Sequence, residues 1–274
     1  MTELSRIHPA LALAGRLRRG ERALGGWFCL PEPGFAEALA HQPLDAVVLD
    51  VQHGLLDAAS IVPTIAAVTR AGKPALVRLP VGDFAMAARA LDVGAVGAIA
   101  PMIDTAAEAR AFVAQVKYPP TGRRSWGAGT AMSLFGVETP TDYLHGANEA
   151  TLALAMIETR EAVEAIDEIL AVEGLDGVFI GPNDLSIALT DGARIDVLDR
   201  QVDAALDRIA AAARKAGKIA GIFGGAAAYA RAFRAKGFAF VTLGLDGMYV
   251  AAGVAAMRSE MGEPVDESGP ARGY

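Results

Sequence analysis

The amino-acid sequence predicts a single-domain (β/α)8 barrel, the α/β architecture in which a closed ring of parallel strands is wrapped by helices. Three observations carry the prediction. A chain of 274 residues suits one barrel of about 250 residues better than two ordinary domains. Short, nearly continuous apolar runs recur at residues 24–30, 46–50, 75–79, 98–101, 152–158, 177–181, 219–223 and 240–244, the pattern of parallel strands covered on both faces. Alanine-rich segments with helical spacing separate them, and this alternation, sustained along the chain, closes a barrel.

Taken in order, residues 1–22 form an N-terminal segment, 23–258 the barrel, and 259–274 a polar tail. The tail, with its sequence GEPVDESGPARGY, is expected to be mobile or docked on a neighbouring subunit. Helices are expected over 83–93, 105–116, 160–172 and 202–216. Gly72, Gly94, Gly174, Gly217 and Gly237 each stand just before a strand, where glycine supplies the left-handed cap that ends a helix. One connection, 117–150, is long and rich in Gly, Pro and Thr. Loops of that length are usually functional or disordered, and this one is expected to cover an active site.

Composition narrows the function. Hydrophobic residues make up 53% of the chain and the net charge is −7, which argues against a general nucleic-acid binder with its basic face. The basic run at 16–22 reads as a solvated helix or loop. Cys29 is the sole cysteine, so neither an internal disulfide nor a multi-thiolate metal site can form; within its apolar run it reads as a buried, inert thiol. Charges and glycines interrupt every apolar stretch before the roughly 18 residues that a membrane helix needs. The amino terminus lacks a signal-peptide pattern, so a soluble cytoplasmic protein is expected.

In such barrels the chemistry collects at the carboxyl ends of the strands. Strand two ends in Asp50, followed by Gln52 and His53; strand three ends at Arg78; strand five ends at Glu158; strand six leads through Gly181 and Pro182 to Asp184. Glu158 and Asp184, from adjacent strands, make a site for a hard divalent cation, Mg²⁺, Mn²⁺ or Co²⁺. Two protein ligands leave coordination positions for a chelating 2-oxo acid. The alternative for Glu158 is a capping role at the positive end of the following helix. His53 carries protons near neutral pH, with Asp50 placed to orient a ring nitrogen. Arg78 is a buried cation in need of a partner, and an anionic substrate supplies one while the guanidinium stabilises a developing enolate.

Lys73, Lys117, Lys215, Lys218 and Lys236 all fall in helix ends or in loops leading into strands. Schiff-base chemistry needs a lysine inside the bowl and is therefore disfavoured. The glycine-containing stretches GIFGG and LGLDG could hold phosphate, but they lack a phosphate-loop lysine or a long fingerprint; close packing at strand ends explains them equally well.

The stretches AVVLDVQHGLLD, ALVRLP, LDVGAVGAIAPMIDTAAEA, YPPTGRRSWG, MIETREAVEAIDEILAVEGLDGVFIGPNDLS and GIFGG…GFAFVTLGLDG resemble the HpcH/HpaI aldolase family of metal-dependent class II pyruvate aldolases, over about 25–252. The resemblance implies that Glu158 and Asp184 hold the metal and that His53 is the acid–base residue, working with Asp50. Arg78 would bind the oxo acid and its enolate, and Trp27 would line the pyruvate pocket. The backbone at Gly181-Pro182 would contact the pyruvate carboxylate, and Gln52 and Ser125 of the GRRSWG loop would complete the substrate site. It further implies a homo-oligomer, a hexamer or trimer of dimers, with C-terminal helices exchanged between subunits.

Two departures stand out. Gln52 replaces the glutamate that commonly precedes the histidine, removing a negative charge near the metal. Thr130 stands where a second arginine is often found, which implies a less charged aldehyde partner. The expected reaction is reversible cleavage of a 4-hydroxy-2-oxo acid to pyruvate and an aldehyde. The alternatives are a citrate-lyase-like enzyme acting on a coenzyme A thioester and a barrel that binds 2-oxo acids without turnover.

Overall fold

The computed structural model describes residues 3–263. Eight parallel strands close into a barrel in sequence order: β1 (Ala23–Phe28), β2 (Ala46–Asp50), β3 (Ala75–Arg78), β4 (Gly97–Ala100), β5 (Leu152–Ile157), β6 (Gly177–Ile180), β7 (Ile219–Ile222) and β8 (Phe240–Leu243). The helices are α1 (Glu3–Ile7), α2 (Leu13–Arg18), α3 (Pro33–Ala40), α4 (Ile61–Arg70), α5 (Phe84–Asp92), α6 (Ala106–Val116), α7 (Gly129–Phe135), α8 (Pro140–Ala150), α9 (Arg160–Glu164), α10 (Ile166–Leu170), α11 (Pro182–Leu189), α12 (Arg200–Lys215), α13 (Ala227–Ala235) and α14 (Asp246–Glu260). Every predicted strand is present, its ends within two residues of the apolar run. A run of β-branched and aliphatic residues that is buried on both sides leaves little freedom in where a strand can lie.

The period of two along each strand sorts its residues into two cores. Val47, Leu49, Val77, Ala98 and Val178 pack outward with the helices. Ala46, Val48, Leu76, Ile99, Leu154, Met156, Phe179 and Phe240 fill the barrel. The same alternation sends Asp50, Arg78 and Glu158 inward, one step beyond Val48, Leu76 and Met156. Leu4, Leu11, Leu13 and Leu17 of the N-terminal segment belong to the interior cluster, so this segment plugs the amino-terminal end of the barrel.

The five glycines anticipated as helix caps all have positive φ, from 66° at Gly217 to 109° at Gly94. The helix expected over 160–172 is two short helices, because Ala165 (φ −85°, ψ 7°) interrupts the α conformation between α9 and α10. The polar tail from 264 onward lies outside the described residues, while Ser259 and Glu260 still belong to α14.

Segment 117–150 requires a correction. It follows α6 and precedes β5, and a connection from helix to strand lies at the amino-terminal end of a barrel, opposite the strand ends that carry chemistry. It is also more ordered than a loop. It contains α7 and α8, with Thr139 accepting from the Asp142 N–H and Pro140 in the first turn of α8, a standard helix start. Arg124 of this segment donates to Asp92 at 2.6 Å, the last residue of α5, and Tyr118 and Asn148 exchange two hydrogen bonds. The segment braces the bottom of the barrel and does not cover its mouth.

Three of the arginines in the basic run at 16–22 are paired within the chain. Arg16 pairs with Glu21 and Asp45, Arg18 with Asp176, and Arg19 with Glu21.

Candidate active site

A cavity of about 370 Å³ opens at the carboxyl ends of the strands, and Trp27, Asp50, His53, Arg78, Gly181, Pro182 and Asp184 all line it. Residues from β1, β2, β3 and the start of α11 thus meet in one bowl. A larger cavity, about 740 Å³, lies at the opposite end among Arg18, Lys117, Asn148 and Asp176. There Lys117 donates to Asn148 O, Thr151 O and the Asp176 carboxylate, so size alone does not mark the chemical end.

Asp50 organises one side of the bowl. Register pairs Asp50 with Arg78 across β2 and β3, and both point inward. Arg78 donates to the two carboxylate oxygens at 2.8 and 2.5 Å, a bidentate fork. The indole N–H of Trp27 adds a bond to Asp50 at 3.2 Å, and the guanidinium lies 4.9 Å from the Trp27 ring centroid. Burial would raise the Asp50 pKa, but the hydrogen bonds and charge of Arg78 outweigh it and hold the carboxyl below its ordinary value. Two expectations change here. Arg78 does not wait for substrate to find a partner, because a cation this buried is stable only when paired within the fold. Asp50 reaches His53 through the backbone N–H, at 3.2 Å, and so shapes the turn after β2; His53 itself is exposed at the rim.

Glu158 lies beside Gly181, which lines the cavity, and is not itself on the lining. It is 2% exposed. Its Oε1 accepts from the Met102 N–H at 2.8 Å, while Oε2 is buried with no hydrogen-bond partner. Burial pushes its pKa up to about 7, and the charges of Asp184 and Asp104 push the same way. Capping does not explain it, since Thr159 accepts from the Ala162 N–H and starts α9. Gly181 is required beside it, because a Cβ there would come within 2.4 Å of Glu158 Oε2. Met102, which donates to Glu158, has a φ of 52°; left-handed backbone at a non-glycine residue gathers at functional sites. An orphaned, desolvated carboxylate oxygen beside a second carboxylate fits a hard cation. Among the described residues no cluster of three or more His, Cys, Asp and Glu could hold a metal.

Gln52 lies beside the site with its N–H on Asp50 at 3.1 Å and its Oε1 buried and unbonded. Ser125 does not join the bowl. It is exposed, between buried Arg124 and exposed Trp126, on the segment that braces the opposite end of this chain. Thr130 is on that segment too. Among the described residues no lysine lines the cavity. The glycines of GIFGG serve close packing: a Cβ at Gly221 would meet the Phe179 ring at 2.7 Å, and one at Gly224 would meet Thr242 O at 2.2 Å.

One organising residue escaped the sequence reading. Asp246, 3% exposed, accepts from the Cys29 N–H at 2.8 Å and ties the start of α14 to the end of β1. Its place after β8 in LGLDG was the available signal. Cys29 is buried, as anticipated.

The family model for HpcH/HpaI aldolase/citrate lyase matches residues 24–252. The chain belongs to this family. It is 43% identical over 227 residues to a hydroxypyruvate/pyruvate aldolase of Rhizorhabdus wittichii, covering 83% of this chain and 89% of that protein. It is 34% identical over 263 residues to a 4-hydroxy-2-oxo-heptane-1,7-dioate aldolase of Salmonella dublin, covering 96% of this chain and 99% of that one. Among solved structures, an HpcH/HpaI aldolase/citrate lyase family protein from Burkholderia cenocepacia superposes with a TM-score of 0.82 at 30% identity, covering 92% of this chain and 99% of that one. The chain is an aldolase-type carbon–carbon lyase, and the resemblance read from its motifs holds.

Proposed function

We propose that this enzyme uses a divalent cation, Mg²⁺, Mn²⁺ or Co²⁺, to cleave reversibly a 4-hydroxy-2-oxo acid into pyruvate, or a close 2-oxo acid, and an aldehyde. The observation that carries the reading is the buried Glu158 Oε2, without a partner and beside Asp184. These two carboxylates would hold the cation, which supplies Lewis-acid polarisation of a substrate oxygen.

The chain's own residues then divide the work. Arg78, fixed by Asp50 and resting on Trp27, presents a pre-oriented donor to the oxygen on which enolate charge develops; a donor that need not reorganise is worth most in a water-poor site. His53, at the rim, exchanges the proton of the 4-hydroxyl. The amino end of α11 at Gly181-Pro182 faces the cavity, where its positive dipole end suits the substrate carboxylate. Trp27 closes the pyruvate pocket. Gln52 brings hydrogen-bonding capacity without charge, so the cation is held less tightly than it would be beside a third carboxylate. Among the described residues Arg78 is the single Lys or Arg on the cavity lining and is already bound by Asp50, which disfavours a coenzyme A thioester with its phosphates.

Oligomerisation by helix exchange, giving a hexamer or trimer of dimers, belongs to the same reading. Val250, Val254, Met257 and Met261 are 53–74% exposed at helical spacing, and Asp246 is the one buried residue of α14. The chain's own barrel leaves that stripe uncovered. A cytoplasmic setting also belongs here. No helix among the described residues is long and apolar enough to cross a membrane, and the one cysteine is unbridged.

The test is aldol formation from pyruvate and a panel of aldehydes by metal-stripped enzyme, with each cation restored in turn. Activity that returns with a cation supports the reading. Pyruvate binding with no turnover under any cation refutes it.

A further inference from the structure

A second cavity, also about 370 Å³, adjoins the catalytic bowl. Pro182, Asn183, Ile195 and Phe223 line both, so the two share a wall and the second begins where the first ends. Its remaining surface is supplied largely by Val197, Tyr229, Phe233 and Met248, with Tyr229 stacked on Phe233 at 6.4 Å. Among the described residues no Lys, Arg or His lines it, and the one charged residue is Asp196. The bowl holds the groups that would handle the 2-oxo acid, and of these the neighbouring space shares only Pro182.

We infer that this cavity is the subsite for the aldehyde's side chain and that it selects an uncharged alkyl or aryl aldehyde over one ending in a carboxylate. The inference rests on the aldolase reading, and the physical basis is specific to this cavity. Apolar and aromatic walls reward each buried methylene. A terminal carboxylate entering it would lose water without gaining a cation and would approach the like charge of Asp196. Thr130 also suggests an uncharged partner, but it lies at the other end of this barrel, so the cavity at the mouth is a separate observation in favour of the same preference. Position supports this assignment too. Pro182 and Asn183 immediately precede Asp184, so a substrate chelated at the carboxylate pair and extending along the first turn of α11 enters the second cavity.

The experiment has two parts on the intact enzyme with restored Mn²⁺. Exchange of the pyruvate methyl protons for deuterium, without aldehyde, reports the pyruvate half-site alone. Then kcat/KM is measured at saturating pyruvate for n-alkyl aldehydes of two to six carbons, benzaldehyde and succinic semialdehyde. The expected result is exchange, a rise of about fourfold per methylene until the subsite is full, and succinic semialdehyde about tenfold or more below butanal. Tyr229, 37% exposed, can accept a long polar side chain; Tyr229→Arg should narrow that ratio about tenfold, whereas Tyr229→Phe should preserve it. Exchange with a flat alkyl series, or with succinic semialdehyde preferred, overturns the subsite and leaves the aldolase reading standing. An unchanged ratio in Tyr229→Arg overturns it as well. Absence of exchange takes down both.

Discussion

At the amino-terminal end of the barrel, Asp176 sits between Lys117 and Arg18, and Asp92 meets Arg124. At the carboxyl-terminal end, Asp50 has Arg78, but Glu158 faces Asp184 and Asp104 and keeps one oxygen unbonded. Both ends bury charge and both hold a cavity. The bottom resolves its charges by pairing, and even Arg124, with Nε and Nη1 lacking hydrogen bonds, lies over the Tyr118 ring at 4.6 Å. The mouth leaves like charges together. A fold tolerates that arrangement where something else is to bind, which supports the smaller cavity as the proposed site of chemistry.

The sharpest way to break this comparison is to remove a charge from each end. Glu158→Ala or Asp184→Ala should lower aldol turnover by about a thousandfold or more, since each removes half of the Lewis-acid site, while leaving thermal stability close to native. Lys117→Met should do the opposite. Asp176 keeps Arg18 but loses its buried partner, at a cost of about 1–3 kcal/mol seen in denaturant unfolding, with turnover per folded molecule unchanged. Turnover loss at the bottom, or none at the mouth, would reverse the assignment of the two ends.

The Glu158 pKa sharpens the contrast through pH. In the metal-free protein it is raised from 4.5 to about 7, so the folded state binds a proton that the unfolded state releases. Its contribution is intact below about pH 4.5 and is lost as pH rises through about 7, a penalty on the order of 3 kcal/mol. Metal-stripped enzyme should therefore lose stability across that interval, Glu158→Gln should flatten the slope, and Mn²⁺ should raise the Tm more at pH 8 than at pH 5. Asp50, whose pKa is depressed, acts in the other direction: its contribution is present above the ordinary carboxylate range and disappears as pH falls below it.

Smaller effects come from the Asp50 side. Arg78→Lys replaces a fork with a point charge and should reduce kcat/KM about a hundredfold, with pyruvate exchange slowed in parallel. Trp27→Phe removes one hydrogen bond to Asp50 and keeps most of the ring, so a loss of about 1 kcal/mol in stability and a fewfold loss in kcat/KM are expected. If Trp27→Phe matched Arg78→Lys, the indole would be doing more than holding Asp50.

Much of the mouth is legible in the sequence because strand ends are. The run Ala46, Val48, Asp50 and the run Leu76, Arg78 fix by alternation which residues face inward, and the barrel brings inward strand ends together. What sequence reading cannot supply is pairing between residues far apart in the chain. Arg78 sits 28 positions from Asp50, and only the β2–β3 register reveals that they satisfy each other. Asp246 reaching Cys29 across 217 positions is hidden for the same reason. In segment 117–150 the prolines and glycines mask the Thr139-Pro140 helix start, and its place after α6, which sets which end it occupies, outweighs the Trp and Arg residues that suggest a cover. Ser125 goes with that segment.

The most direct test is Mn²⁺ titration of the metal-stripped protein, followed by loss of the free Mn²⁺ paramagnetic resonance signal, for the native chain, Glu158→Gln, Asp184→Asn and Lys117→Met. One Mn²⁺ per chain in the native and Lys117→Met proteins, with binding lost in the other two, is the expected result. Native-like binding in Glu158→Gln and Asp184→Asn would contradict a cation site at the mouth of this barrel.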